Sequence, residues 1–214
     1  MATATTTARK SKIKELSAAK VTALDFIHSI ESNWKAQEKF ALWLIQKLHP
    51  KVTLDLGFDQ GLSTLLFGHK NSGNVYGIDW FYEEGSYAEK SLALDSAFRN
   101  ISQAIRLNYV KNIHLIIGPS RDVLKNWNRK IDLLHLNSAY TYQAVKIQYD
   151  NWQRHLKDDA VLLLHNVLSH PTEVGRFFTE LPFPKVLLEN GQGLGVVSAN
   201  EELITEIRDT WPNL

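Results

Sequence analysis

The chain has 214 residues, of which 44% are hydrophobic and 22% are charged, and its formal net charge is +1. This length favours one α/β domain, and the balanced charge gives no argument for nucleic acid or a membrane surface as a partner. Cysteine is absent, which excludes disulfides, thiolate metal sites and cysteine nucleophiles. No apolar run approaches the roughly 18 residues of a membrane helix. We therefore expect a cytoplasmic protein that binds neither nucleic acid nor membrane.

Basic residues are concentrated at the start of the chain. Within the first 20 residues, one acidic residue accompanies five basic ones: Arg9, Lys10, Lys12, Lys14 and Lys20. Residues 1–13 are predicted to be a disordered basic tail, and the alternative is a nucleic-acid-binding arm. Residues 14–214 are predicted to form a single domain, with N-terminal helices over 14–49, an α/β core over 50–200 and a C-terminal helix over 201–214.

Strand-like and helix-like stretches alternate from residue 50 onwards. Five apolar runs predict strands: VTLDLG, NVYGIDW, IHLIIG, IDLLHLN and AVLLLHNV. They are continuously apolar, which is typical of parallel strands covered by helices on both faces. The segment KVLLENGQGLGVVSA adds two runs joined by a Gly-rich link, which indicates an antiparallel hairpin. The predicted fold is α/β, a doubly wound, mostly parallel seven-stranded Rossmann-like sheet with an antiparallel C-terminal hairpin.

The turn after the first strand, LDLGFDQGLST, is the first candidate ligand site. Its glycines, Gly57 and Gly61, are four residues apart, unlike the Gly-x-Gly-x-x-Gly of dinucleotide sites. Asp55 would repel a phosphate but could accept hydrogen bonds from a cationic amino group, directly or through water. Ser63 could satisfy N–H groups of the next helix, and Asp79 ends the second strand where an acid can bind ribose hydroxyls. An amino-acid-bearing nucleoside without phosphates, such as S-adenosylmethionine, meets these requirements.

These segments resemble a known family. LDLGFDQGLST and VYGIDW are similar to the first two motifs of class I S-adenosylmethionine-dependent methyltransferases, and IIGPSRDVL is similar to their adenine-binding segment. The likeness covers about residues 35–200. It implies S-adenosylmethionine as the cofactor and a set of cofactor-binding residues: Asp55, Gly57, Phe58, Gly61, Ser63, Asp79, Trp80 and Ser120. Trp80 could cover the adenine or be an aromatic of the core or an interface.

The fourth and fifth strands resemble those of a bacterial subgroup of small-molecule O-methyltransferases, which includes sugar and catechol types. Metal-dependent members of this fold bind Mg²⁺ through carboxylates at these strand ends. In this chain the expected acids are replaced by Asn137 and Asn166. An amide oxygen brings no negative charge, and hard cations prefer carboxylates. We therefore expect no catalytic metal.

His165 is the candidate general base, because histidine titrates near neutrality and this one ends a central strand. The alternative is a core histidine that bonds to a neighbouring strand. Asn137, Asn166 and Tyr140 are expected to orient the methyl acceptor. The alternation in LLHLN places His135 towards a covering helix and not towards the pocket.

Two functions from different classes fit the sequence. The first is a metal-independent S-adenosylmethionine-dependent O-methyltransferase acting on a small hydroxylated metabolite. The alternative is a non-catalytic protein that kept the methyltransferase fold, and binds the cofactor or a partner, after losing the metal carboxylates. Residues 79–91 are expected to form a flap over the pocket. A homodimer could form through the N-terminal helices or the edge of the hairpin.

Overall fold

The computed structural model describes residues 21–81 and 87–212, with backbone only for 87–91. The predicted basic tail, the start of the first predicted helix and the middle of the predicted flap lie outside these residues. Within them, no helix combines the length and apolar character of a bilayer-spanning segment.

Seven strands form one sheet in the order β3-β2-β1-β4-β5-β7-β6. The first five are parallel, and β7 runs antiparallel to both β5 and β6. This architecture confirms the predicted doubly wound sheet with its reversed C-terminal hairpin. The strands are β1 (Val52–Leu56), β2 (Asn74–Asp79), β3 (Ile113–Ile117), β4 (Ile131–Leu136), β5 (Leu156–His165), β6 (Lys185–Leu188) and β7 (Leu194–Val197).

Helices lie on both faces of this sheet. Short 3₁₀ turns precede the second helix (Lys35–Gln37) and follow the sixth (Gln153–His155), and a π-helical turn (Pro171–Gly175) leads into the seventh. The helices are α1 (Ala23–His28), α2 (Glu38–Leu48), α3 (Leu62–Gly68), α4 (Tyr87–Arg106), α5 (Ser120–Leu124), α6 (Tyr142–Trp152), α7 (Arg176–Glu180) and α8 (Glu201–Thr210).

Successive residues of the central strands pack into two separate cores. Leu133 and Leu163 belong to the core that includes residues of α1, α2, α3 and α8. Leu134 and Leu164 belong to the core beneath α6 and α7. Both sets are buried because helices cover both faces of the sheet, which explains why these strands read as continuous apolar runs.

Because β1 to β5 are parallel, their carboxyl ends all lie at the same edge of the sheet. The order reverses between β1 and β4, since β2 and β3 continue outwards from β1 while β5 continues outwards from β4. Ligands of open α/β sheets bind at this kind of switch point. β3 and β6 are the two outer strands, and dimerisation through the hairpin edge stays a prediction.

Candidate functional site

A cavity of about 560 Å³ opens at the carboxyl edge of the parallel strands. Its volume lies in the range of small-molecule sites. Two halves can be distinguished by the strand ends that form them. Residues of segments 56–59, 78–81 and 118–121 line the β1–β3 half. Residues of segments 32–34, 137–140, 147–151 and 165–170, together with Gln192, line the β4–β5 half.

Asp79 is fixed at the end of β2 by the backbone around it. Its carboxylate accepts hydrogen bonds from the amides of Asp59 and Phe81, each at 3.0 Å. Both of these residues adopt left-handed backbone angles, with φ of 46° and 50°. The backbone carbonyl of Asp79 also accepts a bond from the amide of Gly118 at 2.9 Å. The carboxylate therefore has a fixed position in the wall of the cavity.

Gly118 leaves room beside Asp79. An added Cβ at Gly118 would meet no atom within 4 Å, and since this residue lines the cavity, a side chain there would occupy cavity space. Ser120 and the half-exposed Trp80 line the same half. The structure thus brings together Asp79, Trp80 and Ser120, as the sequence predicts.

Gly57 is required by a contact between two strand-end turns. Its φ is +88°, and an added Cβ would lie 2.7 Å from the backbone nitrogen of Ser138. The side-chain amide of Asn137 donates to the carbonyl of Gly57 at 3.0 Å, and the backbone amide of Asn137 donates to Leu56 at 2.8 Å. The turn after β1 therefore packs directly on the turn after β4, and Gly57 lines the cavity at this junction.

The carboxylate of Asp55 does not lie where the sequence pattern suggests. It is fully buried and outside the cavity lining. It accepts hydrogen bonds from the hydroxyls of Ser63 at 2.7 Å and Thr64 at 2.5 Å, and it lies 2.7 Å from Nδ1 of His135. The expected contact with a cationic amino group is replaced by these internal bonds, and Ser63 caps no backbone N–H but donates to Asp55.

Phe58 and Gly61 support the cavity from behind. Phe58 is buried, and its ring lies 5.2 Å from the ring of Phe81, which lines the cavity. Gly61 has φ of +91° at the start of α3, and an added Cβ would lie 2.9 Å from Cδ1 of Ile101. Neither residue is among the lining residues, so we assign both to packing.

Trp34 and His135 link the N-terminal segment to Asp55. The indole Nε1–H of Trp34 donates to Nε2 of His135 at 3.1 Å. Nε2 is therefore the acceptor nitrogen, and the proton on Nδ1 is donated to Asp55. His135 faces α3, where its ring lies 5.6 Å from that of Phe67, as the alternation in its strand predicts. Trp34 lines the cavity, and no local signal in the sequence pointed to it.

His165 is only 3% exposed but lines the β4–β5 half. Its Nδ1 lies 2.7 Å from Oδ1 of Asn137, and Nδ2 of Asn166 approaches the same oxygen at 3.4 Å. Because that oxygen can only accept, Nδ1 carries the proton and Nε2 is an acceptor. Nε2 is buried without a hydrogen-bond partner among the described residues.

The pKa of His165 is lowered from 6.5 to about 3, mainly by burial and to a smaller extent by the nearby His135. The expectation that this ring titrates near neutrality is therefore wrong. Its bond to the neighbouring strand matches the alternative reading of a buried histidine. A ring that stays neutral at physiological pH is a hydrogen-bonding group and a weak base.

The outer part of the β4–β5 half is formed by loops. Tyr140 is 42% exposed, and its ring lies 5.3 Å from the ring of His170. Gln37, behind the lining residues, donates to the carbonyl of Asn190 at 2.9 Å, and the side chain of Asn190 donates to the carbonyl of Ala36 at 2.6 Å. These bonds hold the segment before α2 against the turn between β6 and β7. The pairing of segments so distant in sequence could not be predicted from either one.

Within the described part of the chain, no group of three or more His, Asp or Glu side chains is arranged so that it could hold a metal ion. Both ends of the Asn137 amide already form hydrogen bonds, to Gly57 and to His165.

Comparison with known proteins identifies the family. A family model described as a methyltransferase domain matches residues 54–167, which is more than half of the chain. The chain belongs to this methyltransferase family. The resemblance of its first two motifs to class I methyltransferases is thereby confirmed.

Relatives of this methyltransferase-family chain are distant. Protein y4gI of Sinorhizobium fredii, described as uncharacterized, is 24% identical over 188 residues, or 80% of this chain and 20% of its own length. The chain therefore spans about a fifth of the curated relative it matches.

Solved structures share the fold. Cofactor-bound Rv0187 from MTB is 18% identical with a TM-score of 0.60, covering 86% of this chain and 89% of its own. The O-methyltransferase from Bacillus cereus in complex with SAH is 17% identical with a TM-score of 0.58, covering 85% and 86%.

Replacing Asp55 by Asn should destabilise the fold. The amide would present a donor where Asp55 now accepts bonds from Ser63, Thr64 and His135, and leaving buried donors unpaired costs about 3 kcal/mol. Urea denaturation should show a lower midpoint. The exposed Asp158→Asn is the matched control and should change the free energy of unfolding by less than about 0.5 kcal/mol. Equal midpoints for the two variants would contradict the role given to Asp55.

The ring of His165 should remain neutral, with its proton on Nδ1, as the pH falls through the usual histidine range. Its folded pKa lies below the unfolded value, so its contribution to stability is present above pH 6.5 and is lost as the pH falls towards 3. Two-dimensional ¹H–¹⁵N NMR of the imidazole nitrogens measures both the tautomer and the titration. A midpoint near 6.5 in the folded protein would contradict this assignment.

Proposed function

We propose that this chain is an S-adenosylmethionine-dependent methyltransferase that transfers the methyl group to an oxygen of a small hydroxylated metabolite without a metal ion. The observation that carries the proposal is the carboxylate of Asp79, fixed by two backbone amides in a cavity at the switch point of the sheet. Membership of the methyltransferase family and the cofactor-bound state described for Rv0187 support it.

The residues of the β1–β3 half fit a nucleoside that lacks phosphates. A fixed carboxylate at the end of β2 can accept both hydroxyls of a ribose. The open space beside Gly118 and the neighbouring Trp80 and Ser120 would receive the base. The turn at Gly57 would lie near the amino-acid end of the cofactor. Asp55 is given no direct contact, since its carboxylate is already satisfied inside the protein.

Bound S-adenosylmethionine supplies a methyl group on a sulfonium, whose transfer forms an O–C bond, breaks the C–S bond with its electron pair kept by sulfur, and releases the hydroxyl proton. The protein contributes mainly by holding the acceptor oxygen in line with the breaking bond. His165, Asn137 and Asn166 are neutral hydrogen-bonding groups at the ends of β4 and β5, where they would orient the acceptor. Tyr140 would contact it from the outer side.

Metal independence is supported by the side chains at these strand ends. Asn137 and Asn166 carry no charge, and Oδ1 of Asn137 already accepts a bond from His165. A divalent cation would have to displace that bond and would gain no carboxylate in return. The proton released by the acceptor would pass to solvent, because His165 is too weak a base to hold it.

A non-catalytic role is the second candidate, and the low pKa of His165 favours it. Such a protein would bind the cofactor, or a partner, through the same cavity without methyl transfer. Accumulation of S-adenosylhomocysteine in the presence of an acceptor separates the two candidates.

Calorimetric titration should detect binding of both S-adenosylmethionine and S-adenosylhomocysteine, with the same affinity in Mg²⁺ and in EDTA. Asp79→Ala should weaken binding by about tenfold or more, since hydrogen bonds to a charged group contribute about 1.5–3 kcal/mol. Asp209→Ala, an exposed acid on α8, is the matched control and should bind like the unmodified protein.

Binding that requires Mg²⁺ would contradict metal independence. Binding that is equally weak, or equally strong, in Asp79→Ala and Asp209→Ala would contradict the site. The thermal midpoint of each variant, measured without ligand, shows whether any loss comes from unfolding.

A further inference from the structure

We propose that Asp59 is a specificity-determining residue, whose carboxylate attracts the sulfonium of S-adenosylmethionine and not the thioether of S-adenosylhomocysteine. The two molecules differ in one methyl group, which makes the sulfur of the first a cation and leaves that of the second neutral. This inference rests on the proposed function, because it assigns a further residue to the same cofactor site. The position of Asp59, its uncommitted carboxylate and the charge of the surrounding half support it.

Asp59 lies in a turn that is held in place from two sides. The amide of Gly61 donates to the carbonyl of Phe58 at 2.7 Å, which closes the turn. On the outer side, the side chain of Asn100 on α4 donates to the carbonyl of Gln60 at 3.0 Å. The backbone of Asp59 therefore has a fixed position at the cavity.

The backbone conformation of Asp59 is one that few side chains tolerate. Its φ is 46°, in the left-handed region, where residues other than Gly, Asn and Asp are uncommon. In this conformation its amide donates to the carboxylate of Asp79 at 3.0 Å, and the residue lines the cavity. An acidic side chain thus stands at a position of the turn where glycine would fit most easily.

The carboxylate of Asp59 is the uncommitted acid of this region. That of Asp55 is buried and satisfied inside the protein, and that of Asp79 accepts two backbone amides. Asp59 is half-buried, and among the described residues no donor or cation pairs with its carboxylate. The sequence pattern assigned a cationic partner to Asp55, and Asp59 is the residue that offers a carboxylate from the cavity side.

The order of residues along the wall matches the order of groups along the cofactor. Under the proposed function, Asp79 accepts the ribose hydroxyls and the turn at Gly57 lies near the amino-acid end. Asp59 bonds to Asp79 and follows Gly57 by two positions, so it lies between these two points. The sulfonium joins the ribose to the amino-acid chain. It is therefore the cation that Asp59 would face.

Formal charge in the cavity belongs to the β1–β3 half. Among the described lining residues, the Asp, Glu, Lys and Arg side chains are those of Asp59, Asp79 and Arg121, all in this half. Two carboxylates against one guanidinium leave a net negative charge. At neutral pH S-adenosylmethionine carries a single net positive charge, whereas S-adenosylhomocysteine is neutral overall. The charge of this half complements the first molecule and not the second.

The role of Asp59 is to discriminate between the two forms and not to accelerate the reaction. Methyl transfer leaves the sulfur uncharged, so the attraction to Asp59 acts on the reactant and is lost in the product. An interaction that is already weakening in the transition state does not raise the rate of the chemical step. Asp59 instead favours the exchange of S-adenosylhomocysteine for S-adenosylmethionine.

Calorimetric titration of the whole chain with both ligands tests this role. Asp59→Asn should weaken the binding of S-adenosylmethionine about fivefold and leave that of S-adenosylhomocysteine unchanged, as expected for loss of a partly exposed charge pair. Asn has the same shape without the charge and tolerates the left-handed region. In the unmodified protein, about 0.5 M NaCl should weaken S-adenosylmethionine selectively, because salt screens the attraction.

Two further variants complete the experiment. Asp59→Gly should show the same selective loss, since glycine adopts the left-handed conformation without strain. Asp209→Asn removes an exposed acid on α8 and should bind both ligands like the unmodified protein. The thermal midpoint of each variant, measured without ligand, should be unchanged.

Failure of this inference can be told apart from failure of the proposed function. If neither ligand binds the unmodified protein, the methyltransferase proposal fails and the inference fails with it. If both bind and Asp59→Asn weakens both equally, the carboxylate serves the ammonium group that they share, and the inference alone is overturned. Unchanged binding in both Asp59 variants, an equal loss in Asp209→Asn, or a lower thermal midpoint in both Asp59 variants would also overturn it.

Discussion

A buried carboxylate joins the segments that surround the cavity. Asp55 lies on β1, accepts bonds from Ser63 and Thr64 in the first turn of α3, and pairs with His135 on β4. Through His135 it is also linked to Trp34 in the segment before α2. A fully buried carboxylate without these donors would cost several kcal/mol. The donors to Asp55 come from two other segments, α3 and β4, and Trp34 adds a third segment through His135, so the switch point of the sheet and the wall beside it are stabilised together.

The amides at the ends of β4 and β5 also explain the state of His165. A carboxylate at position 137 would attract a proton to the ring and oppose the effect of burial. Asn137 accepts the same hydrogen bond without that attraction, so burial decides and the ring stays neutral. One amide oxygen therefore fixes the tautomer of His165 while placing no charge beside the ring.

The fold could be predicted from the sequence because continuous apolar runs, glycine turns and strand spacing are local signals. Asp79, Gly57 and Ser120 could be placed for the same reason, since each follows a strand end. The buried position of Asp55 could not be predicted, because its distance from the turn does not reveal which face of β1 its side chain occupies. The position of Trp34 could not be predicted either, because its hydrogen-bond partner His135 lies 101 residues away in the sequence. The low pKa of His165 depends on burial, which no local pattern encodes.

The wall of the β4–β5 half begins outside the region shared with the family. Residues 32–34 and Gln192 line this half, whereas the family match covers residues 54–167. A substitution confined to residues 32–34 or to Gln192 would therefore reshape one side of the cavity while leaving the turns at Gly57, Asp79 and Gly118 unchanged.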